Sequence, residues 1–288
     1  MATTDRQATT LALAHALSAA ERGLAVLPLS RTKLPALRSP HRDDPTPTPC
    51  HGQCGRPGHG VHDASRDPAR IRELFAAAPW ATGYGIACGL PPHHLIGIDL
   101  DTKSGTDSSA ALRELALRHL FTIPPTVVVL TPSGGRHLWL TGPPDLVVPN
   151  SASRLAPGID IRGAGGYLVG PGSRTGHGVY RTAPGTSHIV PAPCPRALLR
   201  LLLPPPRAPY STPPAAGDHG RGLVQFVLAA HEGQRNTRLF WAACRAYEDG
   251  IGPALVDALV EAALDSGLTE REARATIASA ARMTGRGG

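Results

Sequence analysis

The stretch "LIGIDLDTKSG", residues 95–105, decides the fold. Leu95, Ile96 and Ile98 read as a buried β-strand, and Asp99 and Asp101 follow with one leucine between them. Side chains alternate across a strand, so the two aspartates share one face while Ile98 and Leu100 take the other. Their carboxylates then stand ~7 Å apart, and at an effective dielectric of about 20 they repel by about 2 kcal/mol. A cleft that holds both requires a cation, and a divalent metal gripped by oxygen ligands meets that requirement. The competing reading ends the strand at Leu100 and gives the acids to a turn, because Thr102, Lys103, Ser104 and Gly105 are turn formers.

Two later segments bear on the choice. "TPSGGRHLWL" (131–140) places Ser133, Gly134 and Gly135 in a tight turn and His137 on the outgoing strand, on the same face as Trp139. Glycine turns bring backbone N–H groups close to anions, and a histidine beside them can donate to a phosphate oxygen. "PGIDIRGAGGYLVGPGS" (157–173) carries Asp160 inside another apolar strand, with Arg162 on the same face. A strand interior seldom holds an acid without a partner. Arg162 is that partner in a structural ion pair, or else Asp160 faces the same metal cleft and Arg162 contacts phosphate.

The insertion "TPCHGQCGRPGHGVHD" (48–63) spaces its ligands Cys50-x3-Cys54-x4-His59-x2-His62, with His51 as a spare nitrogen. Thiolates and imidazoles in a short glycine-rich loop suit tetrahedral structural Zn²⁺, and a loop without a core gains its fold from the metal. Cys50, Cys54 and His59 are the expected ligands, with His62 or His51 as the fourth; the alternative is a surface loop with solvated histidines. Cys88, Cys194 and Cys244 lie in apolar surroundings and read as core residues.

With 288 residues and 41% hydrophobic content, the chain can bury a substantial core. Its formal charge of +7 is compatible with a polyanionic partner, although only Lys33 and Lys103 are lysines and the Ala, Gly, Pro and Arg content also fits a GC-rich coding bias. The start lacks a secretory signal and no apolar run is long enough to span a membrane, which predicts a cytoplasmic protein without membrane association. An odd number of cysteines, two of them beside histidines, argues for a metal site over a disulfide framework.

The periodicity predicts a helix over 10–22, a strand over 24–30, a helix capped by Asp67 with Pro68 in its first turn, and a strand in "GYGIACG" (83–89). A helix over 108–120, a strand in "TVVVLT" (126–131) hairpin-linked to "RHLWLTG" (136–142), and strands in "GIDIRG", "GYLVGP" and "GVYRT" follow. Interspersed helices and hairpin-linked strands predict an α+β, mixed α/β domain. A Pro-rich linker is expected over 204–220. Beyond it a small all-α module, 221–288, is expected, with Thr269 and Glu272 forming a capping box.

In their order, "IGIDLD", "SGGRHLWL" and "GIDIRGAGGYLVGPGS" resemble the motifs of the archaeo-eukaryotic primase superfamily. Specifically, they resemble those of the bifunctional DNA primase/polymerase (prim-pol) domain of phages, plasmids and integrative elements. In that family an apolar strand ends in Asp-x-Asp or Asp-x-Glu, a Ser-x-His-type motif lies on a later hairpin, and a further apolar-Asp strand completes the site. The resemblance runs from the first helix to about residue 200 and takes in "GHGVHDASRDPARI" and "GYGIACG".

It implies a primase-like catalytic domain over 1–203, with an RRM-like mixed sheet and a zinc-binding insertion over 45–65. It assigns Asp99, Asp101 and Asp160 to two Mg²⁺ or Mn²⁺ ions, and His137 to the triphosphate of the incoming nucleotide. Ser133, Gly134 and Gly135 would cradle phosphates, with Arg162 as a further ligand. Lys33, in "RTKLPAL", fits a family pattern of lysine before proline, and would reach a phosphate or the template, or else be solvated.

The resemblance implies a template-directed nucleotidyltransferase that makes or extends primers on single-stranded DNA from (d)NTPs. No G-x4-G-K-[ST] run is present, so a separate replicative helicase is expected as partner. In the helical tail, Arg235, Asn236 and Arg238 are candidates for phosphate contact or for a charged outer face. A metal-dependent nuclease and a catalytically silent DNA-binding replication initiator are the competing functions. The primase reading requires Asp160 and His137 to stand beside Asp99.

Overall fold

In a computed structural model the chain divides into two compact units, Met1–Pro204 and Pro205–Gly288. The structure describes residues 2–44, 50–102, 107–203, 218–231 and 233–284. Lys103, Ser104 and Gly105, and all but the last three residues of the expected linker, lie outside them.

The first unit runs α1 (Ala2–Glu21), β1 (Val26–Leu29), α2 (Pro68–Ala77), β2 (Gly83–Ala87), β3 (Leu95–Leu100), α3 (Ser108–Arg118), β4 (Val128–Leu130), β5 (Arg136–Thr141), β6 (Ile159–Arg162) and β7 (Tyr167–Val169). Four short strands and a helix complete it: β8 (Arg174–Thr175), β9 (Gly178–Val179), β10 (Arg181–Thr182), β11 (Ala192–Pro193) and α4 (Arg196–Leu202). The sequence reading places no helix at α4, although "ALLRLLL" has the apolar spacing.

The strands make two principal sheets. β1, β2 and β7 form an antiparallel sheet in that order, and every residue of β1 and β2 is buried. The central sheet has the order β10-β4-β5-β3-β6, antiparallel throughout, with β11 added parallel to β5.

Alternation along β3 divides the central sheet into two faces. Ile96, Ile98 and Leu100 join Leu138 and Leu140 of β5 and Ile159 and Ile161 of β6 in one core, closed by Leu112 of α3 and Leu198 and Leu202 of α4. Leu95 and Trp139, from the opposite face, join a second core with α1, α2 and the small sheet. Gly97 also lies on that face: a Cβ there would stand 2.6 Å from Leu168 of β7, so the glycine lets the small sheet close over the central one.

Adjacent in sequence, β6 and β7 belong to different sheets, and "GAGG" carries the chain between them. Asn150 tightens this crossover by accepting from the Gly163 N–H at 2.8 Å. A Cβ on Gly166 would fall 2.1 Å from the same Asn150 oxygen, so no larger residue fits without displacing it.

Local signals account for several boundaries. Asp67 caps α2 by accepting from Ala69 N at 2.9 Å, and Asp107 caps α3 by accepting from Ala110 N at 2.9 Å. α1 extends further toward the N-terminus than the periodicity indicates, and α3 stops at Arg118 with Leu120 at φ 54°. "GVYRT" is not one strand: Tyr180 separates β9 from β10 and exchanges backbone hydrogen bonds with Gly172 and Ser173.

The second unit contains α5 (Asp218–Leu228), α6 (Arg235–Glu248), α7 (Gly252–Asp265) and α8 (Glu270–Thr284). α5 takes in the last three residues of the expected linker. Leu239, Leu259, Val260, Ile277 and a set of alanines form the core. Thr269 and Glu272 exchange hydrogen bonds at 3.1 and 3.3 Å as a capping box.

Candidate active site and metal cluster

The β3 register builds the first site. Asp99 pairs with His137 of β5 on one side and with Asp160 of β6 on the other. Three residues far apart in sequence therefore face the same side of adjoining strands. β3 ends at Leu100, and Asp101 follows with its N–H donating to Gly158 O at 2.8 Å.

The "PSGG" turn sits against the same strand end. Thr102 Oγ1 donates to the Ser133 carbonyl at 3.0 Å, and a Cβ on Gly135 would lie 2.5 Å from Leu100 O. Gly134 takes φ +87°, the left-handed conformation that favours glycine. The Ser133 hydroxyl is bonded to Thr131 Oγ1 at 3.0 Å.

Arg162 is the cation between the acids. Its guanidinium lies 3.3 Å from Asp99 Oδ2 and 3.0 Å from Asp160 Oδ2. Asp160 Oδ1 also accepts from Ser153 N at 2.9 Å. Thus the ion-pair reading of Arg162 describes this structure, and a phosphate role requires the guanidinium to leave the carboxylates.

His137 is buried, with Nε2 3.5 Å from Asp99 Oδ1 and Nδ1 without a hydrogen-bond partner. Burial pushes its pKa down; the Asp99 charge opposes the shift, and Arg162 and Lys33 add to it. The imidazole is neutral at neutral pH, and its one N–H belongs on Nε2, facing the Asp99 carboxylate. Lys33 is held at φ 71°, and its carbonyl accepts from Tyr167 O–H at 3.0 Å.

Tyr180 belongs to this site, and the sequence gives it no signal beyond that of an ordinary strand aromatic. Its ring centroid lies 5.5 Å from that of His137. Burial, with Asp99 and Asp101 nearby, raises its pKa to about 12, so the phenol keeps its proton.

The second site is the insertion. Ligand atoms of His41, Cys50, Cys54 and His59 all lie within 4.8 Å of one another, as in a group that could hold a metal such as zinc. The fourth member is His41, which precedes the Cys-rich stretch and lies outside the expected ligand set. His62 and His51 stack on each other with centroids 4.3 Å apart, and neither joins the group. The expected segment 45–65 therefore begins too late, although 45–49 lie outside the described residues.

A carboxylate orients His41, and another lies near His59. His41 Nδ1 is 2.8 Å from Asp44 Oδ2, which leaves Nε2 buried and unpartnered. His59 Nδ1 lies 3.6 Å from Asp63, and Nε2 is 3.4 Å from Cys54 Sγ. A carboxylate–histidine pair such as Asp44–His41 fixes the metal-facing nitrogen of a ligand. Asp63 also accepts from Gly58 N and His59 N at 2.7 and 2.8 Å, shaping the loop.

The charges agree with such a cluster. The Cys54 backbone N–H, with smaller help from Gly52 and His41, lowers the Cys50 pKa to about 6. Asp44 and the two thiols raise that of His41 to about 9. By contrast, burial raises Cys88 and Cys194 to about 12, in keeping with core thiols.

The model of the family "bifunctional DNA primase/polymerase, N-terminal" matches residues 16–197, more than half of the chain. This chain belongs to the Prim-Pol family. No curated protein matches it. Membership makes the chain an enzyme of the DNA primase/polymerase type, with DNA and nucleotides as its substrates. The Prim-Pol match spans both the acidic cleft and the His/Cys cluster. Among the described residues no helix is long and apolar enough to cross a membrane.

Two of the expected trio in the helical tail, Arg238 and Asn236, make hydrogen bonds within the module. Arg238 donates to Phe226 O and Ala229 O at the end of α5 and lies over the Phe226 ring at 4.9 Å. Asn236 accepts from Thr276, and Arg235 packs against Gly267.

Proposed function

We propose that this Prim-Pol chain is a template-directed nucleotidyltransferase that synthesises and extends primers, acting in replication of a phage, plasmid or integrative element. The observation that carries the reading is the cross-strand set Asp160–Asp99–His137, with the glycine turn at the end of the same strand. When bound by Asp99, Asp101 and Asp160, two Mg²⁺ or Mn²⁺ ions would activate the primer hydroxyl and neutralise the leaving pyrophosphate.

The protein's own groups have separable tasks. His137, neutral, would turn its one N–H from Asp99 to a phosphate oxygen of the incoming nucleotide once the metal ions engage that carboxylate. The Ser133–Gly134–Gly135 turn presents backbone to the same triphosphate. Arg162 neutralises the acids at rest and becomes a phosphate ligand once the carboxylates are otherwise engaged. Lys33 adds positive charge beside His137. His41, Cys50, Cys54 and His59 would hold Zn²⁺, which would fold the insertion. Unwinding is left to a separate helicase.

One observation favours a second reading. The Arg162 bridge is also what a catalytically silent DNA-binding initiator would keep as a structural ion pair. Incubating the protein with primed single-stranded template, Mg²⁺ or Mn²⁺ and labelled nucleotides, beside Asp99→Ala and Asp101→Ala, separates the possibilities. Elongated or new chains made only by the wild type support the polymerase. Shortened template indicates a nuclease, and binding without product, unchanged in the variants, indicates the initiator.

A further inference from the structure

Near the acidic site lies a groove of about 450 Å³ between α1 and the β9–β10 segment. His15, Ser18 and Arg22 line one wall, spaced i, i+3 and i+7 so that they share one helix face. Arg181 and Thr182 line the other, and no Asp or Glu contributes. Tyr180 is common to this groove and the acidic site.

We propose that this groove holds the sugar–phosphate backbone of the single-stranded DNA template, with Arg22 and Arg181 as its phosphate ligands. The proposal rests on the chain's being DNA-dependent and adds where the strand runs. Neither arginine is paired with a carboxylate among the described residues; Arg22 makes only a 3.3 Å hydrogen bond from Nε to Ser18 O. Two guanidinium groups lining one groove, without a carboxylate in its walls, match a polyanion.

The walls are also fixed. A Cβ on Gly172 would stand 2.4 Å from the His15 ring, so this glycine lets the imidazole rest on the groove floor. Tyr84 O–H donates to Pro171 O at 3.1 Å and anchors the same segment. His15, Ser18, Arg22 and Arg181 are exposed, which suits a strand passing along the surface better than an enclosed mononucleotide. A strand in the groove passes Tyr180 and reaches the cleft where Asp99, Asp160 and His137 converge.

The test is the salt dependence of binding. Fluorescence anisotropy of a labelled oligothymidylate is measured over a range of salt concentrations, with the full chain and no added divalent metal. Each phosphate contact on a single strand adds about 0.7 to the slope of log affinity against log salt. Arg22→Gln/Arg181→Gln should flatten that slope by about 1.4 and weaken binding on the order of tenfold at 0.1 M salt. Arg22→Lys/Arg181→Lys should keep the wild-type slope.

The pair Arg113→Gln/Arg118→Gln, on α3 across the central sheet, removes the same charge and should leave the slope unchanged. An unaltered slope in the Arg22/Arg181 pair, or an equal loss in the α3 pair, overturns the proposal. So does displacement of the oligonucleotide by excess deoxynucleoside triphosphate from the wild type alone, which would give the groove to a mononucleotide. Asp99→Asn judges the catalytic reading separately, because a variant that still extends primers would sink that reading and leave these binding results standing.

Discussion

The acidic cleft and the His/Cys cluster solve opposite electrostatic problems. In the cleft, like charges are brought together by sheet register, and the protein supplies its own cation, Arg162. In the cluster, thiols and imidazoles converge without any lysine or arginine among the four, and the buried Nε2 of His41 accompanies them without a hydrogen-bond partner. The difference separates a site suited to ions that come and go from one suited to a resident metal. An internal counter-ion keeps an empty acidic cleft stable, whereas a loop lacking a core depends on what its ligands hold.

The largest effect expected is on catalysis. Asp99→Asn should lower primer extension on the order of 10³-fold while leaving the far-UV spectrum and metal content of the cluster unchanged. If the zinc content fell as well, the two sites would not be independent and the comparison would break. Cys50→Ser/Cys54→Ser should reduce bound zinc, measured by mass spectrometry, to near zero. Acid should do likewise, because protons compete with the metal for the thiolates and imidazoles.

Arg162→Gln sharpens the contrast. With the competing guanidinium gone, Mn²⁺ should bind roughly several-fold more tightly, while primer extension falls because a phosphate ligand is lost. No such gain is expected in the cluster, which contains no rival cation.

A smaller effect concerns pH. His137 titrates below its ordinary 6.5 in the folded chain. The unfolded chain therefore binds the proton first as pH drops below 6.5, and the stability associated with the neutral imidazole is present above that value and lost beneath it. Urea midpoints at pH 7.5 and 5.5 should differ less in His137→Gln than in the wild type. The smallest change, about 1 kcal/mol, is expected for Thr269→Ala, which removes a helix cap and should leave both sites untouched.

The same contrast explains what the sequence made legible. Alternation in "LIGIDLD" and "GIDIR" fixes which face Asp99 and Asp160 occupy, since a shift of one residue would bury the acids in the α3–α4 core. Their partnership with His137 follows from strand pairing, which the motifs' order suggested but periodicity alone does not give. Tyr180 escaped because its place depends on "GVYRT" breaking into two strands at a tertiary contact with Gly172 and Ser173.

His41 escaped for a different reason. Ligand spacing is readable only within a continuous motif, and His41 reaches the cluster from outside the Cys-x3-Cys-x4-His run, aligned by Asp44. His62 looked equivalent in sequence but is turned toward His51. Arg162 showed the limit of a same-face argument: period two places it beside Asp160, yet the register across β3 is what lets it reach Asp99 too.

The central claim is that Asp99 and Asp160 together bind the divalent ions of nucleotidyl transfer. Mn²⁺ titration followed by electron paramagnetic resonance, on zinc-loaded protein, tests it without relying on turnover. Asp99→Asn and Asp160→Asn should each weaken Mn²⁺ binding by about tenfold or more relative to the wild type. Three superimposable isotherms would contradict the account and leave the two aspartates as structural partners of Arg162.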